Sequence, residues 1–195
     1  LLEKAEATHY PVFGKLLVSV LKQHFEKYEK PAPHVIDCTF GAGGHSLPLL
    51  QQHPQLRVTG IDLDPRMMQR PPPHPDLAGR LVLKLGNFKD IAQLLDTKGD
   101  AFILDLGYNS IQLADPGYGL SYAADGPLEM RYSPAGVRTA AKILNTASVV
   151  ELSELFEGFG EIKEHLRLAE AVHARRQTRP FETTAELAET VRGVS

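Results

Sequence analysis

The sequence predicts an α/β fold, a parallel doubly wound sheet followed by a helical unit. Three observations carry that prediction. Short apolar, β-branched runs alternate with helical patterns through the first half of the chain. A glycine-rich turn, FGAGGHS at 40–46, follows the first of these runs directly. After Gly107 the alternation stops, and a long loop leads into successive helical patterns.

Taken in order, PVFGKLLVSVLKQHFEKYEK at 11–30 reads as an amphipathic helix. Val12, Phe13, Leu16, Leu17, Val20, Leu21, Phe25 and Tyr28 fall at helical spacing, and PAP at 31–33 ends the pattern. HVIDCTF is a buried strand, and SLPLLQQH a short helix opening after the glycines. LRVTGID and RLVLKLG are the next strands, FKDIAQLL is a helix and AFILDLG the fourth strand. Between the second and third strands RPPPHP at 70–75 forbids the helix expected there. The stretch from Tyr108 to Pro134 is rich in Gly, Pro, Asp and Tyr and is too long for an ordinary connector, which marks it as functional or disordered. RTAAKILN, SVVELSELFEGFG, IKEHLRLAEAVHARRQ and TTAELAETVRG then read as helices. Ser148 with Glu151 forms a capping box, and Thr183 or Thr184 caps the last helix. The boundary between the two parts falls at 110/111.

The chain has 195 residues, 43% of them hydrophobic, enough for one sizeable core with an appended unit. A net charge of -3 and a pI of about 6.3 exclude a protein that binds nucleic acid by bulk charge, so any RNA surface is a local patch. The single cysteine, Cys38, reads as a small buried residue and fits a reducing compartment. No apolar run approaches the roughly 20 residues of a membrane span, and no signal peptide is visible. No His/Cys cluster has metal-ligand spacing, so no metal is expected.

The glycine turn joins a strand to a helix N-terminus, a place where free N–H groups meet an anionic or nucleotide ligand. It lacks the Gly-Lys-Ser/Thr of a phosphate-binding loop and is not a clean dinucleotide fingerprint. Asp62, in GIDLDP at the end of the second strand, is placed to accept hydrogen bonds from ribose hydroxyls; Asp64 before Pro65 reads as a turn residue. Phe88, past the third strand, either flanks an adenine or fills core. Asp105 ends the fourth strand at the mouth of the crevice. Features at four successive strand ends point to a nucleoside cofactor.

HYPV, IDCTFGAGGHS, GIDLDP, GNF, DLGYNSIQL, GYGLSYAADGPLEMR, TAAKILN, FGE and TTAELA together resemble the small-subunit ribosomal RNA cytosine-N4 methyltransferases, the bacterial MraW/RsmH enzymes and their mitochondrial homologue. The resemblance implies a class I S-adenosylmethionine-dependent methyltransferase fold with an inserted helical substrate-recognition domain. By position it implies cofactor contacts from Gly43, Gly44, His45, Asp62, Phe88, Asp105 and Gln112. It also implies further chain, since the family carries a C-terminal part that completes the sheet; this chain opens on Leu1 rather than Met. Implied partners are small-subunit ribosomal RNA, the small subunit or its assembly intermediates, and other assembly factors, with no membrane. The expected location is the mitochondrial matrix, the alternative the bacterial cytoplasm.

The exocyclic amine of cytosine is a poor nucleophile, because its lone pair is delocalised into the ring. A site that methylates it holds amine and sulfonium in line and accepts a hydrogen bond from the amine. Asp105 or backbone carbonyls of the DLGYNS loop are the candidates for that acceptor, with Asn109 helping through its side-chain oxygen, and Tyr108 is the candidate for stacking on an extruded base. For RNA phosphates the candidates are Arg131 and the HARRQTRP stretch with Arg175, Arg176 and Arg179. The family's D-L-G-V-S-S is Asp105 to Ser110 here, D-L-G-Y-N-S; its R-G-F-S-F is Tyr118 to Tyr122; its L-D-M-R-M-D is Leu128 to Ser133. The cofactor half is better kept than the substrate half. That leaves two functions open: an active methyltransferase, or a catalytically impaired homologue serving as a small-subunit assembly factor.

Overall fold

A computed structural model of the protein describes residues 11–69, 77, 79–133, 135 and 138–194. His9 and Tyr10 of HYPV, and the RPPPHP segment, lie outside the described residues. The chain divides into two compact units, the first ending at Ser110 and the second beginning at Ile111.

The first unit contains α1 (Gly14–Lys27), β1 (His34–Asp37), α2 (Ser46–Gln52), β2 (Arg57–Asp62), α3 (Pro65–Met68), β3 (Leu81–Leu85), α4 (Ile91–Leu94) and β4 (Ala101–Ile103). The strands form one parallel sheet in the order β3-β2-β1-β4. The chain steps outward from β1 to β3 and returns on the other side of β1. The switch point, where ligands bind in open α/β sheets, is therefore between β1 and β4. In register, Ile36 lies between Thr59 and Phe102, and Asp37 between Gly60 and Ile103.

Strand alternation sends successive β1 side chains to opposite faces. Val35 joins Val18, Leu21, Phe25, Leu49 and Leu50 in one cluster, and Ile36 joins Cys38 and Ile61 in another. Both faces of β1 are thus covered, as a parallel sheet requires. Arg80 closes the C-terminus of α2, its Nη1 donating to the carbonyls of Leu50 (2.9 Å) and His53 (3.2 Å).

Several boundaries differ from the sequence pattern. α1 buries Val18, Leu21 and Phe25, whereas Val12, Phe13, Leu16, Val20 and Tyr28 stay exposed, so the apolar positions do not form one face. α1 ends before the PAP prolines because Glu29 turns left-handed (φ 49°), letting Lys30 N–H reach the Phe25 carbonyl and Glu29 N–H the Glu26 carbonyl. FKDIAQLL splits into a 3₁₀ turn, Phe88–Asp90, and the single turn of α4. Cys38 lies one residue past β1, still buried. β4 stops at Ile103, which puts Asp105 in the following loop rather than on the strand.

α5 (Ser110–Ala114) leads into the second unit, which also holds α6 (Ala140–Thr146), α7 (Val149–Gly158), α8 (His165–Arg176) and α9 (Thr184–Arg192). Its core is Leu128, Leu144, Leu152, Leu168, Val172 and Phe181. The capping boxes Ser148/Glu151 and Thr183/Glu186 both form. α8 starts at His165, later than its apolar pattern suggests, because Glu161 is left-handed (φ 51°) and Ile162 N–H returns to the Phe156 carbonyl. The long loop is ordered by pairing rather than by periodicity. Met130 N–H donates to the Tyr118 carbonyl, Leu128 N–H to Glu182, and Pro127 bridges Thr183.

Candidate active site

The glycine turn is anchored from below. The Phe40 ring lies over Gly60 of β2, where a Cβ would come within 2.5 Å of Phe40 Cδ2, so only glycine fits there. Gly41 (φ 54°) and Gly43 (φ 79°) take left-handed conformations that favour glycine. Phe40 N–H donates to the Ile61 carbonyl at 3.0 Å, and Gly41 N–H to Asp62 Oδ2 at 2.6 Å. Asp62 therefore holds the turn against β2, while its other oxygen accepts Asp64 N–H at 2.9 Å. Burial pushes the Asp62 carboxyl above the usual carboxylate range, and these N–H groups only partly oppose it. Asp64 takes the turn role read from its sequence, capping α3 by accepting Arg66 N–H at 3.0 Å ahead of Pro65.

His45 and Asp105 meet at the switch point, Nε2 to Oδ2 at 3.0 Å. The carboxylate accepts, so Nε2 carries the proton. Asp105 N–H donates to Thr39 Oγ1 at 2.8 Å, which ties the β4 loop to the end of β1. Gly107 (φ 146°) lies in a region only glycine occupies readily. The half-buried Phe88 packs against Ile36, Cys38 and Ile61, which gives its ring a core role. Tyr108 is 55% exposed. Asn109 is buried, with Nδ2 3.6 Å from Met67 Sδ.

Gln112 is a buried residue of α5 in the second unit. Among the arginines, Arg176 Nη1 donates to the carbonyls of Leu144 and Ala147, both at 2.7 Å, at the C-terminus of α6. Arg175 pairs with Glu186 at 3.1 Å and lies over the Phe181 ring at 4.1 Å. Arg131 pairs with Glu129. Arg179 is 68% exposed, in long contacts with Glu182 and Glu186.

The sequence reading passed over Asp37. It is 1% exposed at the end of β1, accepting Ser46 Oγ–H at 2.6 Å and Thr39 N–H at 3.2 Å. Burial raises its carboxyl, with the Ser46 bond opposing. The signal was present in HVID, since a carboxylate closing an otherwise apolar buried strand is rare without a partner.

Among the described residues, three buried side-chain polar atoms have no hydrogen-bond partner: His45 Nδ1 and Ser110 Oγ, and His53 Nε2 at the far end of α2. With two left-handed glycines and half-exposed Asp105 beside His45, the donor and acceptor set fits a polar nucleoside ligand.

A family model described as the MraW methylase family matches residues 6–195. The chain is 38% identical over 194 residues to ribosomal RNA small subunit methyltransferase H of Thermomicrobium roseum, covering 96% of this chain and 58% of that protein. It is 36% identical over 192 residues to the protein of the same name from Thermobifida fusca, covering 94% and 56%. The corresponding protein of Saccharopolyspora erythraea is 36% identical over 190 residues, covering 95% and 57%. The chain thus spans 56–58% of the length of these curated relatives. By its match over nearly its whole length, the chain belongs to the MraW methylase family.

Proposed function

We propose that the full-length protein is an S-adenosylmethionine-dependent methyltransferase acting on the exocyclic amine of a cytosine in small-subunit ribosomal RNA. The observation that carries this reading is the meeting of His45 and Asp105 at the switch point, beside a glycine turn held by Asp62. Family membership and relatives named as ribosomal RNA methyltransferases support it and do not favour the impaired-homologue alternative.

In this reading Gly43, Gly44 and His45 contact the cofactor, Asp62 accepts from the ribose, Phe88 flanks the adenine, and Asp105 and Gln112 complete the contacts. The chemistry supplied by the bound cofactor is an electrophilic methyl group on a sulfonium. Asp105 accepts a hydrogen bond from the target amine, with Asn109 alongside. Exposed Tyr108 is free to stack on an extruded base. Residues 1–110 form the cofactor unit and 111–195 the substrate-recognition unit. Arg131, Arg175, Arg176 and Arg179 are the RNA candidates, and Arg179 is the one whose head group is most exposed. Partners are the small subunit, its assembly intermediates and assembly factors. The bacterial relatives support a cytoplasmic setting over the mitochondrial matrix. Among the described residues no helix is long and apolar enough to cross a membrane.

The test is calorimetry of the full-length protein with S-adenosylmethionine, followed by methyl transfer to small-subunit RNA. Asp62→Ala removes both the ribose acceptor and the Gly41 anchor and is expected to weaken binding at least about tenfold. No binding to wild type at millimolar cofactor would sink the methyltransferase reading.

A further inference from the structure

We propose that Asp37 is a positioning residue of the site, acting through Ser46 and Thr39 to set the His45–Asp105 pair. The four contacts close a ring. Asp37 accepts from Ser46 Oγ at 2.6 Å and from Thr39 N–H at 3.2 Å. Thr39 Oγ1 accepts from Asp105 N–H at 2.8 Å, and Asp105 Oδ2 receives His45 Nε2 at 3.0 Å. His45 and Ser46 are covalent neighbours at the start of α2, which completes the circuit.

The ring joins the end of β1, the β4 loop and the first turn of α2, just beyond the last β1–β4 pair, Asp37 with Ile103. Its members are largely buried. Asp37, Ser46 and His45 are 1%, 0% and 8% exposed. A buried carboxylate carries a desolvation cost that Ser46 and Thr39 only partly offset, because burial remains the larger influence on Asp37. Packing alone would be met by an apolar side chain at this position, as at Val35 and Ile36 of the same strand. An anion there has a use if it orients two donors, and both donors lead to His45 or Asp105. The consequence for the ligand is that His45 Nδ1, buried and without a partner among the described residues, is presented as an acceptor at a fixed angle. Asp37 itself reaches the ligand only through these neighbours.

The inference rests on the methyltransferase reading only for the identity of the ligand, and its test has an arm that needs no ligand. In the cofactor-free full-length protein, proton NMR of the ring Nε2–H of His45, assigned with His45→Gln, reports the His45–Asp105 bond. Wild type is expected to show a slowly exchanging, downfield Nε2–H. Asp37→Asn and Ser46→Ala are expected to exchange it at least about tenfold faster, and Ser46→Thr, which keeps the hydroxyl, to retain it. In calorimetry with S-adenosylmethionine, Asp37→Asn and Ser46→Ala should each weaken binding about tenfold, and the double variant no more than either single one. Should Asp37→Asn fail to fold, the Ser46→Ala and Ser46→Thr pair carries the test. An unchanged Nε2–H in folded Asp37→Asn or Ser46→Ala, or additive losses in the double variant, overturns the proposal. A wild type that binds no cofactor sinks the methyltransferase reading instead, while the NMR arm still decides the ring.

Discussion

In the loops of the first unit, hydrogen bonds join residues far apart in the chain; at the helix starts of the second, they join residues three apart. Asp105 reaches back 66 residues to Thr39 and 60 to His45. Ser148 and Thr183 each cap with a glutamate three residues on. The buried strand-end carboxylates and the helix caps also differ in their electrostatics. Asp37 and Asp62 at the strand ends are raised by burial, whereas the capping carboxylates Glu151 and Glu186, and Asp125 beside α9, are lowered by backbone N–H groups. A cap places a carboxylate where donors are already aimed. The site holds carboxylates where water has been removed, an arrangement typical of functional rather than stabilising groups.

The largest expected effect tests whether the contrast extends to the cores. Ile36 and Leu152 are both fully buried. Ile36→Ala and Leu152→Ala should each cost about 2–5 kcal/mol in urea melts. A cost under 1 kcal/mol at either position would mean that its unit is not held by that core.

Next come the second unit's arginines, whose partners within the unit differ. Arg176→Ala strips a donor from the Leu144 and Ala147 carbonyls at the end of α6 and should cost about 1–3 kcal/mol. Arg179→Ala should stay within about 0.5 kcal/mol. If RNA phosphates are gripped here, Arg179→Ala should reduce the salt slope of RNA binding by about 1 without changing the melting temperature. An Arg176→Ala protein that keeps its stability and loses RNA affinity would reverse the two roles.

The smallest effect is the dependence on pH. For Glu151 and Glu186 the folded value lies below the unfolded 4.5, so their contribution is present above about pH 4.5 and is lost as pH falls through the folded values. For Asp37 and Asp62 the sign is opposite. Their folded values lie above 3.8, so the folded state holds protons more tightly and loses stability as pH rises through that window. Melts from pH 3 to 7 should therefore show a smaller loss on raising pH in Asp37→Asn than in wild type. Identical slopes would remove Asp37 from the balance.

The candidate site is legible in the sequence where its residues sit at strand ends, since strand ends follow from apolar runs and glycines. Asp62 and the glycine turn were found in that way, and the structure gives each a physical task. Asp37 was passed over because it lies inside the apolar run, where a pattern of hydrophobicity masks one charged residue. Charge density along a helix does not reveal what each arginine faces, a carboxylate and a ring for Arg175 and two carbonyls for Arg176.

The sequence alone determined the alternation of strands and helices, the glycine turn, the capping box at Ser148 and a cap at Thr183 or Thr184. These depend on interactions within a few residues, and so does the chemistry that specifies them. Only the tertiary structure decided that β4 returns beside β1, that His45 meets Asp105, that Asp37 closes the ring beneath them, and which α1 side chains are buried. Each is a contact across tens of residues, fixed by how the sheet is ordered and what its faces exclude from water.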